Sequence, residues 1–322
     1  MNTLADSELR ERVLQLAALQ EPCQLCPRRC LVHRGERRGH CNQPPGLQIA
    51  AVCAHRGEEP ALSGHNGAGT VFVVGCTMSC RFCQNHQISQ PGRHQDPRWS
   101  CSPEQLARQM IELQQAGCHN IEWVSPTQHL PALVQALRLA RIEGLRLPLV
   151  FNCNGYQRPE VLSLLDGVVD IYLPDVKYAD PALASRLSAT VDYVEVNRLA
   201  LAEMKRQVGQ LQLDPDGVAW RGLLVRHLVL PGQLDNTRRV LGWIAAELGR
   251  DTWVSLMSQY YPAHCAVGDS TGLGRRLTAR EHHRALQALE RAGLDSGWVQ
   301  ERATGTAFCP DFTHSDPFEA RS

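Results

Sequence analysis

The chain has 322 residues, and its 33 Lys and Arg side chains equal its 33 Asp and Glu side chains in number. Hydrophobic residues make up 43% of the chain, which is enough for a sizeable core and excludes global disorder. The charge balance leaves no whole-molecule field that would argue for a nucleic-acid or membrane partner.

The first predicted element is an amphipathic helix over residues 3–20, with Leu9, Val13 and Leu16 on one face. Charges interrupt any apolar core there, so the segment is not a signal peptide. A membrane helix requires about 18 consecutive apolar residues, and no segment of the chain comes near that length. We therefore expect a cytoplasmic protein, in which clustered thiols are metal ligands or redox groups rather than disulfides.

Residues 21–47 are rich in Cys, Arg, Pro and Gly and show little periodicity, so we expect a metal to hold this segment together. Four cysteines occur in a C-x2-C-x3-C-x10-C spacing: Cys23, Cys26, Cys30 and Cys41. Four thiols suit either a closed zinc site or a fully liganded iron–sulfur cluster. The sequence predicts a second metal here and does not choose between the two.

Basic side chains lie between these four cysteines: Arg28, Arg29, His33, Arg34, Arg37, Arg38 and His40. A solvated basic face is the ordinary interpretation of such a run. The alternative is a docking face for an acidic electron donor such as flavodoxin or ferredoxin, or for an acidic face of a substrate protein.

From residue 68 onward, short apolar runs alternate with amphipathic helical patterns. The predicted strands are 70–74, 120–124, 147–151, 168–173, 223–230 and 253–257, with a last apolar segment at 298–299. The predicted helices are 103–116, 130–142, 159–165, 191–208, 234–248 and 279–292. This alternation predicts an α/β fold with a parallel sheet, either an open doubly wound sheet or a partial barrel.

These patterns divide the chain into three parts. We predict a helix and metal-binding module over 1–67, a core barrel over 68–310 and a tail over 311–322.

Three cysteines, Cys76, Cys80 and Cys83, follow the first strand of this series in a C-x3-C-x2-C spacing. Thiolates hold iron–sulfur clusters, and three of them on a four-iron cube leave one iron open. That iron can chelate S-adenosylmethionine (SAM), and an electron from the cluster can then cleave the sulfonium bond to a 5′-deoxyadenosyl radical. The alternative is a zinc site with His86 as the fourth ligand, in a binding module without catalysis.

The triad, with Phe82 before its third cysteine, resembles the radical SAM superfamily. More narrowly, the chain resembles the glycyl-radical activases typified by pyruvate formate-lyase activating enzyme, and above all their PflX-like relatives. The supporting stretches are Gly57-Glu58-Glu59-Pro60, Cys83-Gln84-Asn85-His86, Asp175-Val176-Lys177-Tyr178 and Arg226-His227-Leu228-Val229-Leu230-Pro231-Gly232. The resemblance implies a partial (β/α)6 TIM-like barrel, a [4Fe–4S] cluster and SAM.

Polar residues follow nearly every predicted strand, and in parallel α/β folds that rim carries the active site. The family places a Gly-Gly-Glu-type motif after the second strand to bind the SAM amino group. Residues 125–129 lack the glutamate, so Thr127 is the candidate here, with a simple helix cap as the alternative. Asn152 and Asn154 match the segment that contacts the ribose, although Asn-Gly is also a common turn.

The resemblance also implies a site for the SAM carboxylate after the fourth and fifth strands. Asp175 and Lys177 match an Asp-x-Lys motif whose lysine would pair with that carboxylate. Arg226, ahead of His227, is the candidate that neutralises the carboxylate or contacts the hydrogen donor. A surface ion pair without function is the alternative for Asp175 and Lys177.

The sequence leaves the hydrogen donor open. The family likeness favours a backbone glycine of a partner protein, and the alternative is a small molecule, an RNA or another peptide.

Overall fold

The computed structural model describes residues 4–90, 96–300, 310–314 and 316–318. Residues 315 and 319–322 of the predicted tail lie outside the described residues. The helices are α1 Asp6–Gln20, α2 Pro60–Ser63, α3 His86–Ser89, α4 Pro103–Gln115, α5 Leu130–Ile142, α6 Pro159–Leu162, α7 Pro181–Ser188, α8 Tyr193–Val208, α9 Leu234–Trp243 and α10 Ala279–Ala292. The strands are β1 Ile49–His55, β2 Ala68–Val73, β3 Ile121–Val124, β4 Leu149–Cys153, β5 Ile171–Pro174, β6 Gln212–Leu213, β7 Ala219–Leu228, β8 Trp253–Met257 and β9 Gly297–Val299.

The strands form a single sheet in the order β1-β2-β3-β4-β5-β7-β8-β9, with β6 beside β7. All neighbours from β2 to β9 along this path pair in parallel, whereas β1 is antiparallel to β2. The strands follow one another in chain order, as right-handed crossovers through helices produce. With β1 and β9 as its two edges, the sheet is open. This confirms the predicted α/β fold with a partial barrel.

Residues on each strand alternate between two apolar layers, as a sheet buried on both faces requires. Trp123 and Phe151 face the layer that the helices cover. Val150 and Ile171 face the other layer, where they pack with Leu62 of α2. The Asn120 side chain donates a 2.8 Å hydrogen bond to the Leu62 carbonyl, which ties α2 to the start of β3. The short helix α2 therefore fills the inside of the partial barrel at the amino ends of the strands.

Helix α1 confirms the predicted amphipathic helix. Leu9 and Leu16 are buried against the helical layer, and Asp6 forms a 2.7 Å ion pair with Arg138 of α5. In the part of the chain that the structure describes, no helix is both long and apolar enough to span a bilayer.

The periodicity did not predict five elements of the structure: the short elements α2, α3 and β6, and also helix α7 and strand β1. Helix α7 has only eight residues, begins where the Asp180 side chain accepts from the Ala182 amide, and ends at Ala189 in the left-handed conformation with φ 51°. So short a helix shows too few turns for an amphipathic pattern to emerge. Strand β1 is a half-buried edge strand inside the segment predicted as a metal-binding module.

A core substitution tests the position of α2. Leu62→Ala removes a fully buried side chain from the interior of the sheet, so we expect the free energy of unfolding to fall by about 2–5 kcal/mol. The matched control is Leu14→Ala, at a side chain that is 62% exposed, where a change within about 0.5 kcal/mol is expected. Urea denaturation of both variants measures the difference, and equal effects would contradict the packing described here.

Candidate active site

A cleft of about 240 Å³ lies at the carboxyl ends of the parallel strands. It brings together most of the residues that the sequence selects: Cys76, Cys80, Cys83, Asn152, Asn154, Asp175, Lys177 and Arg226. These residues come from loops or strand ends after β2, β4, β5 and β7, so one rim gathers them from four places in the chain.

The loop that carries the three cysteines is held by the end of α7. The amide of Arg81 donates a 2.9 Å hydrogen bond to the Leu187 carbonyl, and the amide of Ser79 donates to the Ser188 carbonyl. These acceptors are among the carbonyls that a helix leaves unpaired at its carboxyl end. The loop and the helix end therefore satisfy each other's backbone hydrogen bonds.

Each cysteine sulfur has a polar neighbour. Ser188 Oγ lies 3.0 Å from Cys80 Sγ, Ser89 Oγ lies 3.1 Å from Cys83 Sγ, and Asn154 Nδ2 lies 3.4 Å from Cys76 Sγ. Burial raises the pKa of the Cys80 thiol to about 12 and raises that of Cys83 as well. Metal binding must therefore displace the thiol protons, as it does at thiolate sites generally.

Three thiols that line one cleft, all from one short loop, fit a four-iron cluster, which thiolates hold. Within the described ranges, no three His, Cys, Asp or Glu side chains are placed to hold one metal ion. His86, the ligand that a zinc site would need, has Nδ1 3.2 Å from the Cys83 carbonyl and stacks on His264.

The four N-terminal cysteines lie in one small module. Cys23, Cys26 and Cys41 are buried and Cys30 is half-buried, and burial raises the pKa of Cys26 to about 12. As their side chains stand, they are not among the groups that converge on a single ion in the described part of the chain. The second metal stays a prediction.

Two of the basic side chains between these cysteines hold the module to the barrel. Arg28 donates to the Thr77 carbonyl in the triad loop at 3.1 Å and to the Ala189 carbonyl at the end of α7 at 2.8 Å. Arg34 is buried and donates to the Gln128 carbonyl. The predicted basic face is therefore smaller than its sequence run, because these two guanidinium groups are used internally.

Lys177 and Asp175 form a mostly buried ion pair, with Nζ 2.5 Å from Oδ2. Burial alone lowers the pKa of Lys177, but Asp175 and the neighbouring Cys80 outweigh it and raise the pKa above its usual value. The lysine is thus a positive charge beside the cysteine loop, and its pairing with the SAM carboxylate stays a prediction.

Thr127 and His227, two positions selected from the sequence, do not line the cleft. Thr127 is buried outside the cleft lining, where its hydroxyl donates a 2.8 Å hydrogen bond to Gln157. His227 is also buried, with its ring nitrogens 2.6 Å from the Val176 carbonyl and 3.0 Å from Thr237 Oγ1, and burial lowers its pKa to about 4. Its neighbour Arg226 reaches the cleft instead.

Arg226 is not a free cation. Its Nε donates to Glu59 at 2.7 Å, and its Nη2 pairs with both Glu58 and Glu59. Burial disfavours the charge of Arg226, but the two carboxylates raise its pKa well above its usual value. A buried network of ion pairs inside the partial barrel therefore joins the segment before α2 to the end of β7.

Sequence reasoning missed Glu122, which is fully buried on β3. Its Oε1 accepts a 2.6 Å hydrogen bond from Asn152, while Oε2 has no partner among the described residues. Burial raises its pKa well above the usual value, and the nearby Glu58 adds to this effect. The sequence could have identified Glu122, because it is a carboxylate inside the otherwise apolar strand Ile121–Val124. Carboxylates are rarely buried unless they have a partner or a functional role.

Comparisons with known proteins agree with this arrangement. A model of the Radical SAM superfamily matches residues 70–209. Uncharacterized protein MJ0674 of Methanocaldococcus jannaschii is 31% identical over 279 residues, which cover 85% of this chain and 75% of that protein. Uncharacterized protein MJ0808 of the same organism is 24% identical over 259 residues, covering 74% and 70% of the two chains.

Among solved structures, the chain is similar to HydG, a maturase of the [FeFe]-hydrogenase, with a TM-score of 0.51 and 12% sequence identity. The match covers 94% of this chain and 65% of that one, and it concerns the fold alone.

An open barrel whose first parallel strand leads into a three-cysteine loop is the framework of an iron–sulfur enzyme. The chain belongs to the radical SAM superfamily. Membership confirms the predicted superfamily and implies its cofactors, a [4Fe–4S] cluster and SAM. The narrower likeness to PflX-like activases remains a prediction.

The buried ion pair gives a test of the cleft's electrostatics. Arg226→Leu leaves Glu59, whose side chain is 3% exposed, as a buried carboxylate without its cation, so we expect a loss of about 3–5 kcal/mol at pH 8. In the native protein Arg226 overcomes the effect of burial and lowers the pKa of Glu59 below its usual value, so this contribution to stability is still complete at pH 5 and is lost only at lower pH. In the variant burial raises that pKa, and protonation relieves the penalty.

The stability difference between the native protein and Arg226→Leu should therefore shrink from pH 8 to pH 5, measured by urea denaturation at both values. Arg238→Leu, at an arginine whose side chain is 66% exposed, is the control and should change stability by less than about 1 kcal/mol. A difference that does not depend on pH would contradict the role given to Glu59.

Proposed function

We propose that this chain is a radical SAM oxidoreductase that binds a [4Fe–4S] cluster through Cys76, Cys80 and Cys83 and abstracts a hydrogen atom from a substrate. The observation that carries the proposal is the convergence of these three thiols on a cleft that Lys177 and Asn154 share. When bound, the cluster supplies one electron that cleaves SAM to methionine and a 5′-deoxyadenosyl radical, which becomes 5′-deoxyadenosine on taking the hydrogen atom.

The residues of the chain have separate tasks in this proposal. The three thiolates hold three irons and leave the fourth for SAM. Lys177, kept charged by Asp175, attracts the SAM carboxylate, and Asn154 stands beside Cys76, where it can bind a ribose hydroxyl. An external donor such as a reduced flavodoxin or ferredoxin supplies the electron, and the remaining exposed basic residues of the N-terminal module offer its docking face.

The N-terminal cysteines Cys23, Cys26, Cys30 and Cys41 form part of the same proposal. We assign them a second metal, zinc or an iron–sulfur cluster, that stabilises the module. We also place the protein in the cytoplasm, since its described cysteines are free thiols and a reducing compartment keeps them available for metals.

A cysteine substitution tests the cluster assignment. Cys80→Ala should abolish reductive formation of 5′-deoxyadenosine from SAM after anaerobic reconstitution, because it removes one of only three thiol ligands. Chromatographic assay of 5′-deoxyadenosine with dithionite as reductant measures this. The control is Cys265→Ala, at an exposed cysteine outside the cleft, which should keep full activity. Retained 5′-deoxyadenosine formation in the Cys80 variant would overturn the assignment.

The hydrogen donor has two candidates. The likeness to glycyl-radical activases supports a backbone glycine of a partner protein. A small substrate is favoured by a different observation, because Pro310 and Phe318 of the C-terminal segment wall the cleft, and Phe318 stacks on His55 at 3.9 Å. A wall of this kind limits the room for a protein loop.

Tracing the abstracted hydrogen separates the two candidates. With a cell extract prepared from fully deuterated cells, the deuterium in 5′-deoxyadenosine should depend on a fraction of small molecules if the substrate is small. If a protein fraction supplies the deuterium and a glycyl-radical signal appears in electron paramagnetic resonance, glycyl-radical activation is correct and the small-substrate alternative is wrong.

A further inference from the structure

Below the cysteine loop, the inside of the partial barrel contains polar side chains that the proposed SAM chemistry does not use. We call this region the inner pocket and define it by Glu58, Glu122, Arg226, Gln259 and Gln300. Four of these line the cleft, and Glu122 lies beneath Asn152, which also lines it. Glu122, Asn152 and Arg226 are strand residues, whereas Gln259 and Gln300 follow the ends of β8 and β9 as the cysteines follow β2, so the inner pocket extends from the rim down between the strands.

The inner pocket carries more negative than positive charge. Arg226 faces two carboxylates, Glu58 and Glu59, so this group has a net charge of minus one before Glu122 is considered. His55, with Nε2 3.7 Å from Glu58 Oε1, does not supply the missing charge, because burial lowers its pKa. The Asp175–Lys177 pair nearby is neutral as a unit.

The inner pocket also has an excess of hydrogen-bond acceptors. Glu122 Oε2, Gln259 Oε1 and Gln300 Oε1 are buried oxygens without a partner among the described residues. A buried acceptor left unpaired costs about 1–3 kcal/mol, and more when it is charged. Three such oxygens in one region therefore point to a ligand that donates hydrogen bonds to them.

Apolar side chains complete the walls of the cleft around this group. They are Phe72, Val124, Leu228, Met257 and Phe318. A ligand in this space would place a polar, donating head among the oxygens and an apolar stem against these side chains.

We infer that the inner pocket binds an ammonium group carried on an apolar stem, so that the substrate of the proposed hydrogen abstraction is a small amine or a side chain of that type. This assignment rests on the proposed function. An ammonium group offers three donors, matching the three unpaired oxygens, and its charge offsets the surplus carboxylate. Its presence beside Glu122 would favour the ionised form of that carboxyl group.

Two other roles for these residues must be distinguished. If the ion pairs serve only to join the segment before α2 to β7, no ligand is recognised and the three probes bind equally. If the surplus charge faces the sulfonium of SAM instead, SAM and an ammonium ligand exclude each other.

The experiment measures binding to the anaerobically reconstituted enzyme by ligand-observed nuclear magnetic resonance titration. The probes are n-butylammonium, n-butyrate and n-butanol, which share one stem and differ in the head group. We expect n-butylammonium to bind about tenfold or more tightly than the other two, with or without saturating SAM. Equal binding of the three probes, or displacement of n-butylammonium by SAM, would overturn the inference.

The variant is Glu122→Gln, which preserves the size of the side chain and prevents it from ionising beside a bound ammonium group. We expect it to weaken n-butylammonium binding about tenfold and to leave n-butyrate binding unchanged. Glu143→Gln, at an exposed position after α5, is the matched control and should have no effect. Should Glu122→Gln fail to fold, Gln300→Leu removes another of the unpaired oxygens and should weaken n-butylammonium binding in the same direction.

The same preparations are assayed for 5′-deoxyadenosine with dithionite and SAM. Formation of 5′-deoxyadenosine without selective n-butylammonium binding would overturn the inner-pocket inference and leave the proposed function standing. Selective binding without any 5′-deoxyadenosine would overturn the proposed function alone.

Discussion

The site depends on how a loop of nine residues, 75–83, is held in place. Two amides of this loop donate hydrogen bonds to carbonyls at the end of α7, and the Ser188 hydroxyl contacts Cys80 Sγ. Arg28 of the N-terminal module donates hydrogen bonds both to the loop and to the residue that follows α7. Each contact joins segments far apart in the chain. The three thiols are therefore positioned by the whole fold and not by their spacing alone, as a preorganised metal site requires.

The second organising feature is the charge buried inside the sheet. Arg226, Glu58 and Glu59 are largely removed from water, and burying an ion pair seldom stabilises a protein more than an apolar replacement would. Glu122 adds a carboxyl group with an unpaired oxygen nearby. If stability were the only requirement, we would expect apolar side chains in this space, as at the amino ends of the strands around Leu62. The network is best explained by recognition of a ligand.

Much of the fold was predictable because long, periodic elements dominate it. Helices α5 and α10 and strand β8 have the bounds that their apolar patterns predict. Helix α7 was not predictable, since eight residues carry little periodicity, and yet its end supports the cysteine loop. Of the site, the sequence selected the triad and the Asp175–Lys177 pair, because local motifs specify them. It did not predict the Arg226–Glu59 pair, which joins positions 167 residues apart, or the burial of Thr127.

The central claim is that three protein thiolates hold the cluster and that its fourth iron is open to SAM. Cys153 is a possible fourth ligand to be tested, because it is a further thiol that lines the same cleft, on β4. Electron–nuclear double resonance of the reduced, reconstituted enzyme with SAM labelled by ¹⁷O in its carboxylate and ¹⁵N in its amino group tests this directly. Hyperfine coupling of both labels to the cluster is the predicted result. A cluster without such coupling, its fourth iron held by a protein side chain, would contradict the account.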